Sequence, residues 1–453
     1  MSTLEIIAII LLIFLTYGLI VYFLFKKGYF EKYNISFYGP ALLLRTKKGV
    51  HTLKRIASKK RFWRGYGTFA IVFCFLIMLF MIGMLVLNTY AILNLTPDQQ
   101  KSIPGIEFGF ILPGINPMLP LEYLFYVVVA LIVAIVVHEF SHGILTFAHD
   151  LKVKSLGLLY FILPLGAFCE PDEEELAKTK KINRMRVYAV GPMSNFIVAI
   201  ILVILFSGVC MNAVTPVDGV HISYIYKDSP ANEIGLSAGM VIQEVNNTQT
   251  YNATEFSQAM NNTYVGQTIP IHYYNQGTIY ISNATLMSKY NFSHNKSDKN
   301  TSFLGVGYNP YINMWTKALQ HPLSYAFPNG LIILYSLPFL SYFIGFNPLV
   351  APYNQGYLIT GPLSFIPPEI FWPLTNLIYW VFWLNLIVGF FNILPMVPLD
   401  GGFLFSDGLR YILDRFKKRI SEEKREQIVR NITLVISFII LFIIILPWLV
   451  KYF

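Results

Sequence analysis

The chain has 453 residues, of which 55% are hydrophobic and only 13% are charged, whereas soluble domains carry about 25% charged residues. This composition excludes an ordinary soluble protein and indicates that a lipid bilayer surrounds much of the chain. The net charge is +9, and 27 of the 34 Lys and Arg residues fall in segments 26–64, 149–187 and 401–430. Basic residues clustered beside apolar runs are typical of cytoplasmic loops, which favours this interpretation over a nucleic-acid-binding patch. The three cysteines lie far apart, which excludes a disulfide framework and a cysteine-based metal site.

Residues 1–120 contain two apolar runs and predict two N-terminal spans joined by a basic cytoplasmic loop. The first run, Leu4–Phe25, is longer than a signal-peptide core, and basic residues follow it instead of preceding it. We therefore expect an uncleaved span with its N-terminus outside. The second run, Tyr66–Leu93, should lead outward, and a loop rich in Pro and Gly follows it.

Residues 121–215 predict two more spans. Leu121–Ala148 should return to the cytoplasmic side, where a basic segment follows it. Val187–Val214 should then lead outward again. Residues 216–308 are polar with alternating apolar positions, which predicts strands and a soluble domain on the outer face.

Residues 309–371 do not contain a clear membrane-spanning segment. Leu331–Phe346 is apolar but short and contains a proline, so we expect a re-entrant or interfacial segment. Trp372–Pro395, within residues 372–415, should run inward, because basic residues follow it. Residues 416–453 then supply a basic loop and a last span, which makes six spans in all.

The third predicted span contains His138-Glu139-Phe140-Ser141-His142. Histidines at i and i+4 share one face of a helix, so two neutral imidazoles can bind one Zn²⁺ there. Glu139 would lie beside the metal and could accept a proton from a water molecule. Ionisable residues at bilayer depth cost about 2.5–3.5 kcal/mol each on insertion scales, and a shared metal offsets that cost. A His/Glu proton relay in a transporter is the alternative.

A catalytic zinc site needs a third protein ligand. His149 does not have the spacing of the extended His-x-x-Gly-x-x-His pattern, and Glu170 and the Glu173–Glu175 run fit a solvated loop more simply. Asp400 is the better candidate, because prolines must break the helix before it and two glycines after it permit a sharp turn. The alternative is that Asp400 only caps a turn or helix.

These motifs resemble the site-2 protease family of intramembrane metalloproteases. The resemblance rests on His138-Glu139-x-x-His142, Asn392-x-x-Pro395…Leu399-Asp400-Gly401 and Gly191-Pro192-Met193-Ser194-Asn195, in that family's order within spans. It implies a three-helix catalytic core, with His138, His142 and Asp400 as ligands of one Zn²⁺ and Glu139 as the general base. It also implies that Asn195 and Asn392 line the substrate path. Gly166, Ala167 and Phe168 would belong to a re-entrant hairpin that binds substrate as a strand.

The soluble domain resembles a PDZ domain. The resemblance rests on Asp228-Ser229-Pro230-Ala231 and on residues 235–246, although Met240 stands where the pattern has Asp. It implies an α+β domain that binds a peptide beside a strand, with Asp218–His221 as the loop that faces the peptide carboxylate. The alternative for His221 is that it is an ordinary strand residue.

The sequence therefore predicts an α-helical polytopic membrane protein with an inserted α+β PDZ-like domain. Its predicted function is that of a zinc endopeptidase that cleaves membrane-spanning proteins and releases a cytoplasmic fragment. The expected partners are membrane-protein substrates, the lipid bilayer and a peptide ligand of the inserted domain, but no nucleic acid. We expect the cell membrane as its location, with the inserted domain outside and the active site towards the cytoplasm. A transporter with a metal or proton site and an inactive PDZ scaffold are the alternatives.

Overall fold

A computed structural model describes residues 3–161, 163–414 and 421–451. The α-helices of these residues are α1 (Thr3–Lys26), α2 (Tyr29–Lys32), α3 (Val50–Ile56), α4 (Lys60–Leu93), α5 (Pro97–Lys101), α6 (Leu124–Ala148), α7 (Glu173–Lys178), α8 (Lys181–Leu205), α9 (Pro230–Glu233), α10 (Ala253–Asn261), α11 (Tyr290–Ser293), α12 (Ile312–Gln320), α13 (Asn329–Ile344), α14 (Pro368–Ile393), α15 (Asp400–Leu413) and α16 (Glu422–Val450).

The strands of the same residues are β1 (Ile35–Tyr38), β2 (Ala41–Thr46), β3 (Val153–Phe161), β4 (Leu163–Pro171), β5 (Val214–Pro216), β6 (Val220–Ile225), β7 (Val241–Val245), β8 (Thr248–Gln249), β9 (Thr268–Asn275), β10 (Thr278–Thr285), β11 (Met287–Ser288), β12 (Ser302–Phe303), β13 (Val306–Tyr308) and β14 (Tyr357–Ile359). The chain divides into two compact units. The first unit comprises Met1–Gly109, Phe125–Ile200 and Val381–Phe453, and the second comprises Phe110–Leu124 and Ile201–Trp380.

Among the residues that the structure describes, five helices are long and apolar enough to cross a membrane, namely Lys60–Leu93, Leu121–Ala148, Lys181–Ala213, Pro368–Ile393 and Glu422–Val450. They coincide with the second to sixth predicted spans. The first predicted span lies in α1, whose segment Phe14–Lys26 is apolar but shorter than these five helices. The total of six spans therefore stays a prediction.

Helices α4, α8 and α16 begin before the apolar runs that predicted them. α4 begins at Lys60, α8 at Lys181 and α16 at Glu422, in basic segments that apolarity alone could not assign to a helix. An apolar run marks the part of a helix that suits lipid, whereas backbone hydrogen bonding continues into the polar ends.

A four-stranded antiparallel sheet in the first unit has the order β1-β2-β3-β4. β3 and β4 form the hairpin that the family resemblance implies, with Leu156 opposite Cys169 and Leu159 opposite Gly166. β1 and β2 lie in the segment predicted only as a basic loop, and β2 pairs with β3. β4 lies at the edge of this sheet, so its outer side can accept another strand.

The second unit contains an antiparallel sheet with the order β10-β9-β7-β6-β13. Alternate residues of these strands, including Val220, Ile222, Ile269 and Ile271, enter a buried apolar core, as the sequence pattern predicts. Asp218 and Gly219 precede β6, and Val220 and His221 are its first residues, with His221 only 6% exposed. The role of Asp218–His221 in binding a peptide carboxylate stays a prediction.

The segment predicted as re-entrant or interfacial contains α12, α13 and β14. α13 has 16 residues and includes Pro338, and β14 pairs with β5. Its relation to a bilayer stays a prediction.

Candidate metal centre

Two histidines and one aspartate converge in the first unit. His138 and His142 lie on one face of α6 with ring centroids 4.8 Å apart, and only 8% and 10% of their side chains is exposed. Oδ2 of Asp400 lies 2.8 Å from Nε2 of His138 and 3.2 Å from Nε2 of His142. One ligand atom from each residue lies within 4.8 Å of the other two. The structure thus brings together the three predicted metal ligands.

Asp400 reaches the histidines because the backbone turns sharply between α14 and α15. α14 ends at Ile393, and α15 begins at Asp400 after extended backbone at Leu399. A Cβ atom added to Gly402 would lie 2.6 Å from backbone atoms of the preceding turn, and one added to Gly401 would approach that turn even more closely. The glycines are therefore needed because two stretches of backbone pass each other without room for a side chain.

The hydrogen bond of His142 orients its imidazole as a metal ligand requires. Its Nδ1 lies 2.7 Å from the carbonyl oxygen of Val187 in α8, and only a protonated Nδ1 can donate to that oxygen. In the neutral imidazole, Nε2 then carries a lone pair and faces a carboxylate oxygen of Asp400. Two electron-pair donors at this distance repel each other unless a cation lies between them.

Asn195 contacts the second imidazole. Its side chain is fully buried on α8, with Nδ2 at 3.3 Å from Nδ1 of His138, and its Oδ1 has no hydrogen-bond partner in the described structure. A half-turn of the amide would let Oδ1 accept a proton from Nδ1 of His138 and would leave Nε2 with its lone pair facing Asp400. Direct contact of Asn195 with a substrate stays a prediction.

The donor set fits Zn²⁺. Two imidazole nitrogens and one carboxylate oxygen are the ligand types of catalytic zinc sites, which leave a fourth position open. As a metal ligand, the Asp400 carboxyl group must be deprotonated and each imidazole must be neutral, so that all three groups offer a lone pair.

Gly191 lets α8 approach the two histidines closely. A Cβ atom at this position would lie 2.7 Å from Cε1 of His142 and 2.8 Å from Cε1 of His138. The Gly191–Asn195 motif thus needs glycine at its first position, because any side chain there would push the imidazoles away from Asp400.

Glu139 lies between the histidines and the β-hairpin. Its Oε2 accepts a hydrogen bond of 2.9 Å from the backbone nitrogen of Cys169 in β4. The side chain lines a cavity of about 1290 Å³ together with His138, His142 and Asp400. A carboxylate held in this way can reach a reacting group in the cavity.

The other predicted site residues lie nearby with different surroundings. Asn392 lines the same cavity, and its Nδ2 donates to Val388 of its own helix at 3.1 Å. Gly166, Ala167 and Phe168 lie on β4 and pair with β3. Their role in substrate binding stays a prediction.

The acidic and histidine candidates that the sequence disfavoured lie apart from this cluster. Glu170 accepts hydrogen bonds from Ser155 at 2.5 Å and from Arg45 at 3.4 Å. Glu173–Glu175 form the first turn of α7, and His149 follows the end of α6.

One buried ion pair was not predicted from the sequence. Asp407, on α15 two turns after Asp400, accepts hydrogen bonds of 2.8 and 2.5 Å from Arg184 of α8 and one of 3.0 Å from Arg410. The side chain of Asp407 is only 2% exposed. The pair fastens the helix that carries Asp400 to the helix that carries Val187, Gly191 and Asn195. The sequence did not indicate this pair because residues 184 and 407 are far apart along the chain.

Comparison with known proteins assigns the chain to a family. The pattern of peptidase family M50 matches residues 126–440. An uncharacterized protein of Methanocaldococcus jannaschii is 25% identical over 421 residues, which cover 91% of each chain. A Clostridium acetobutylicum protein named as a candidate zinc metalloprotease is 26% identical over 316 residues, which cover 62% of this chain and 86% of that protein.

Two solved structures are similar to part of the chain. The PDZ domain of an SdrC-like protein of Listeria monocytogenes is 22% identical over 22% of this chain and 96% of its own, with a TM-score of 0.18. The corresponding domain of Listeria innocua is 25% identical over 20% of this chain and 94% of its own, also with a TM-score of 0.18.

The family match covers well over half of the chain and includes every residue of the cluster. It confirms the resemblance to the site-2 proteases that the motifs indicated, and membership of this family implies zinc. The chain therefore belongs to peptidase family M50, the site-2 protease family, and is a metalloprotease of the multi-pass membrane type.

Proposed function

We propose that this protein is an intramembrane zinc endopeptidase that binds one Zn²⁺ per chain through His138, His142 and Asp400. The observation that carries the proposal is the convergence of two imidazole nitrogens on one carboxylate oxygen, at 2.8 and 3.2 Å, between helices that suit a bilayer. Three electron-pair donors in a buried site need a cation to hold them together.

When bound there, Zn²⁺ polarises a peptide carbonyl and makes a water molecule more acidic. Glu139 accepts the proton from that water and delivers it to the leaving amine nitrogen. The hydrogen bond from the backbone of Cys169 holds the Glu139 carboxylate beside the hairpin, so the proton acceptor stays close to a substrate bound along β4.

The substrate binds as an extended strand. β4 is the edge of its sheet, and its backbone at Gly166, Ala167 and Phe168 can pair with an added strand. A helical segment must unwind first, because its peptide bonds are engaged in their own hydrogen bonds. Asn392, which lines the cavity, offers an amide to the backbone of the bound strand.

The substrates are membrane-spanning proteins of the cell membrane, and cleavage releases a cytoplasmic fragment in a regulated pathway. The distribution of Lys and Arg supports this orientation, because the basic segments 149–187 and 401–430 flank the helices of the metal centre. Residues 216–308 would then lie outside and select or hold a substrate as a peptide-binding domain.

The experiment compares Glu139→Gln with Glu174→Gln in the full chain, using cleavage of a model membrane protein and zinc content as readouts. Loss of the proton acceptor should reduce cleavage by about 10²–10⁴-fold and leave zinc bound, because Glu139 is not a ligand. Glu174 lies on the exposed side of α7 and should tolerate the same change.

Three results would contradict the proposal. Undiminished cleavage by Glu139→Gln would exclude its role as the proton acceptor. Wild-type protein that binds zinc but cleaves no substrate would favour an inactive scaffold. Proton or metal flux through the wild type that stops in Glu139→Gln, without any proteolysis, would favour a transporter.

A further inference from the structure

The first unit contains a second, strongly basic cavity beside the one that holds the metal ligands. Its volume is about 580 Å³. The residues that line it are Arg64, His149, Lys178, Thr179, Lys180, Ile182, Asn183 and Arg186. Neither the family nor the chemistry of the metal centre assigns it a role.

The charges around this cavity are unbalanced. Four lining residues are cationic, and among the described residues that line it none carries a carboxylate. Two of these cations have acidic partners that do not line the cavity: Asp150, with a side chain 62% exposed, accepts from Arg64 at 3.2 Å and also pairs with Lys60, and Glu174 pairs with Lys178 at 3.7 Å. A concave site with this excess of positive charge attracts an anion.

His149 supplies an unsatisfied polar atom at the same place. Its Nε2 is buried and has no hydrogen-bond partner within the described structure. Burial and the nearby guanidinium groups of Arg186 and Arg64 lower the pKa of His149 to about 4. An anion in the cavity would accept a hydrogen bond from this imidazole and offset the repulsion among the cations.

The arginines are held in place. Nε of Arg64 donates to the carbonyl of Ala148 at 2.8 Å, and Nε of Arg186 donates to Oγ1 of Thr68 at 3.0 Å. The guanidinium group of Arg186 is thus held by a neutral oxygen and keeps its charge available, as in sites that bind phosphate, whereas that of Arg64 also pairs with Asp150.

The cavity lies at the polar ends of three apolar helices. Arg64 is in the first turns of α4, His149 directly follows α6, and Lys180 directly precedes α8. In a membrane, these ends lie at the level of the lipid phosphates, and basic pockets between helices at this level bind anionic headgroups.

We propose that this cavity binds the phosphate group of an anionic phospholipid headgroup. The absence of carboxylates among its described lining residues gives no partner to the ammonium group of a zwitterionic headgroup, so phosphatidylglycerol should bind better than phosphatidylcholine. A bound headgroup would bridge the ends of α4, α6 and α8, two of which carry residues of the metal centre.

The experiment titrates the detergent-solubilised full chain with short-chain phosphatidylglycerol, short-chain phosphatidylcholine and inorganic phosphate. The test variant is Lys178→Gln/Lys180→Gln. The matched control is Lys152→Gln/Lys154→Gln, which removes two positive charges from the same basic segment but not from the cavity. Thermal unfolding and zinc content verify that each variant is folded.

Wild type and control should prefer phosphatidylglycerol, and the test variant should bind it about 30-fold more weakly, because each basic residue contributes about 1 kcal/mol. Equal weakening in the control, or no preference for phosphatidylglycerol in the wild type, overturns the proposal. Binding of inorganic phosphate without binding of the lipid also overturns it and assigns the cavity to a soluble phosphate. If the double variant does not fold, Lys180→Gln alone should weaken binding about fivefold.

Discussion

The two units of this chain differ in what they bury. In the first unit, His138, His142, Asp400 and Asp407 all have side chains no more than 17% exposed. The core of the second unit consists of side chains such as those of Val220, Ile222 and Ile269, which alternate along antiparallel strands. Buried ionisable groups are costly and persist only with partners, so those in the interior of the first unit indicate its functional site. The apolar core of the second unit mainly stabilises its fold.

Asp407→Asn should be the most destabilising change among those that leave the metal ligands intact. It leaves the guanidinium of Arg184, only 14% exposed, without its counter-charge, which should cost about 3–5 kcal/mol in the free energy of unfolding. Glu426→Gln is the matched control, since Glu426 is 51% exposed and pairs with the same Arg410. The control should cost less than about 1 kcal/mol. Equal losses in thermal or denaturant unfolding would show that burial of this pair is unimportant.

His221 should make the second unit sensitive to acid. Burial lowers its pKa to about 4, against the weaker opposing effects of the Val217 carbonyl and Asp218. The unfolded imidazole, with a pKa near 6.5, binds a proton first as the pH falls, so stability is lost between about pH 6.5 and pH 4. The loss should reach about 3 kcal/mol.

Hydrogen exchange of β6 and β7 in the full chain, corrected for the intrinsic effect of pH, measures this loss. His221→Gln should remove most of the pH dependence, because glutamine does not titrate. A variant that is as acid-sensitive as the wild type would place the titrating group elsewhere.

Asn195→Ala should have the smallest effect and should act on metal binding more than on folding. Partners that orient a ligand imidazole typically contribute 10–100-fold to metal affinity. Ser194→Ala is the control, because the Ser194 hydroxyl lies 3.0 Å from the hydroxyl of Tyr66 instead of facing the histidines. Zinc affinity by competition with a chelator distinguishes them, and equal affinities would remove Asn195 from the metal centre.

Sequence alone could predict the parts of this protein that depend on residue type and spacing. The face shared by His138 and His142 follows from helical periodicity, and the turn that carries Asp400 follows from prolines and glycines. The strands of the second unit follow from alternation, but their order in the sheet, β10-β9-β7-β6-β13, does not. Edge position depends on the order in which strands pair, which alternation does not encode.

The features that could not be predicted depend on contacts between groups that are distant in the sequence. The carbonyl of Val187 and the backbone nitrogen of Cys169 contact His142 and Glu139, yet any residue type at those positions offers the same atoms. The pair Arg184–Asp407 joins residues that look like ordinary loop charges until the fold brings α8 and α15 together.

The most direct test of the account is the zinc content of the purified chain with Asp400→Ala, compared with Asp414→Ala. Both changes remove a carboxylate from the region of α15, but Asp414 pairs with Lys181 and Arg425 and lies outside the metal cluster. We predict about one zinc per chain in the wild type and in Asp414→Ala, and loss of both zinc and cleavage in Asp400→Ala. A full equivalent of zinc retained by Asp400→Ala would contradict the assignment of Asp400 as the third ligand.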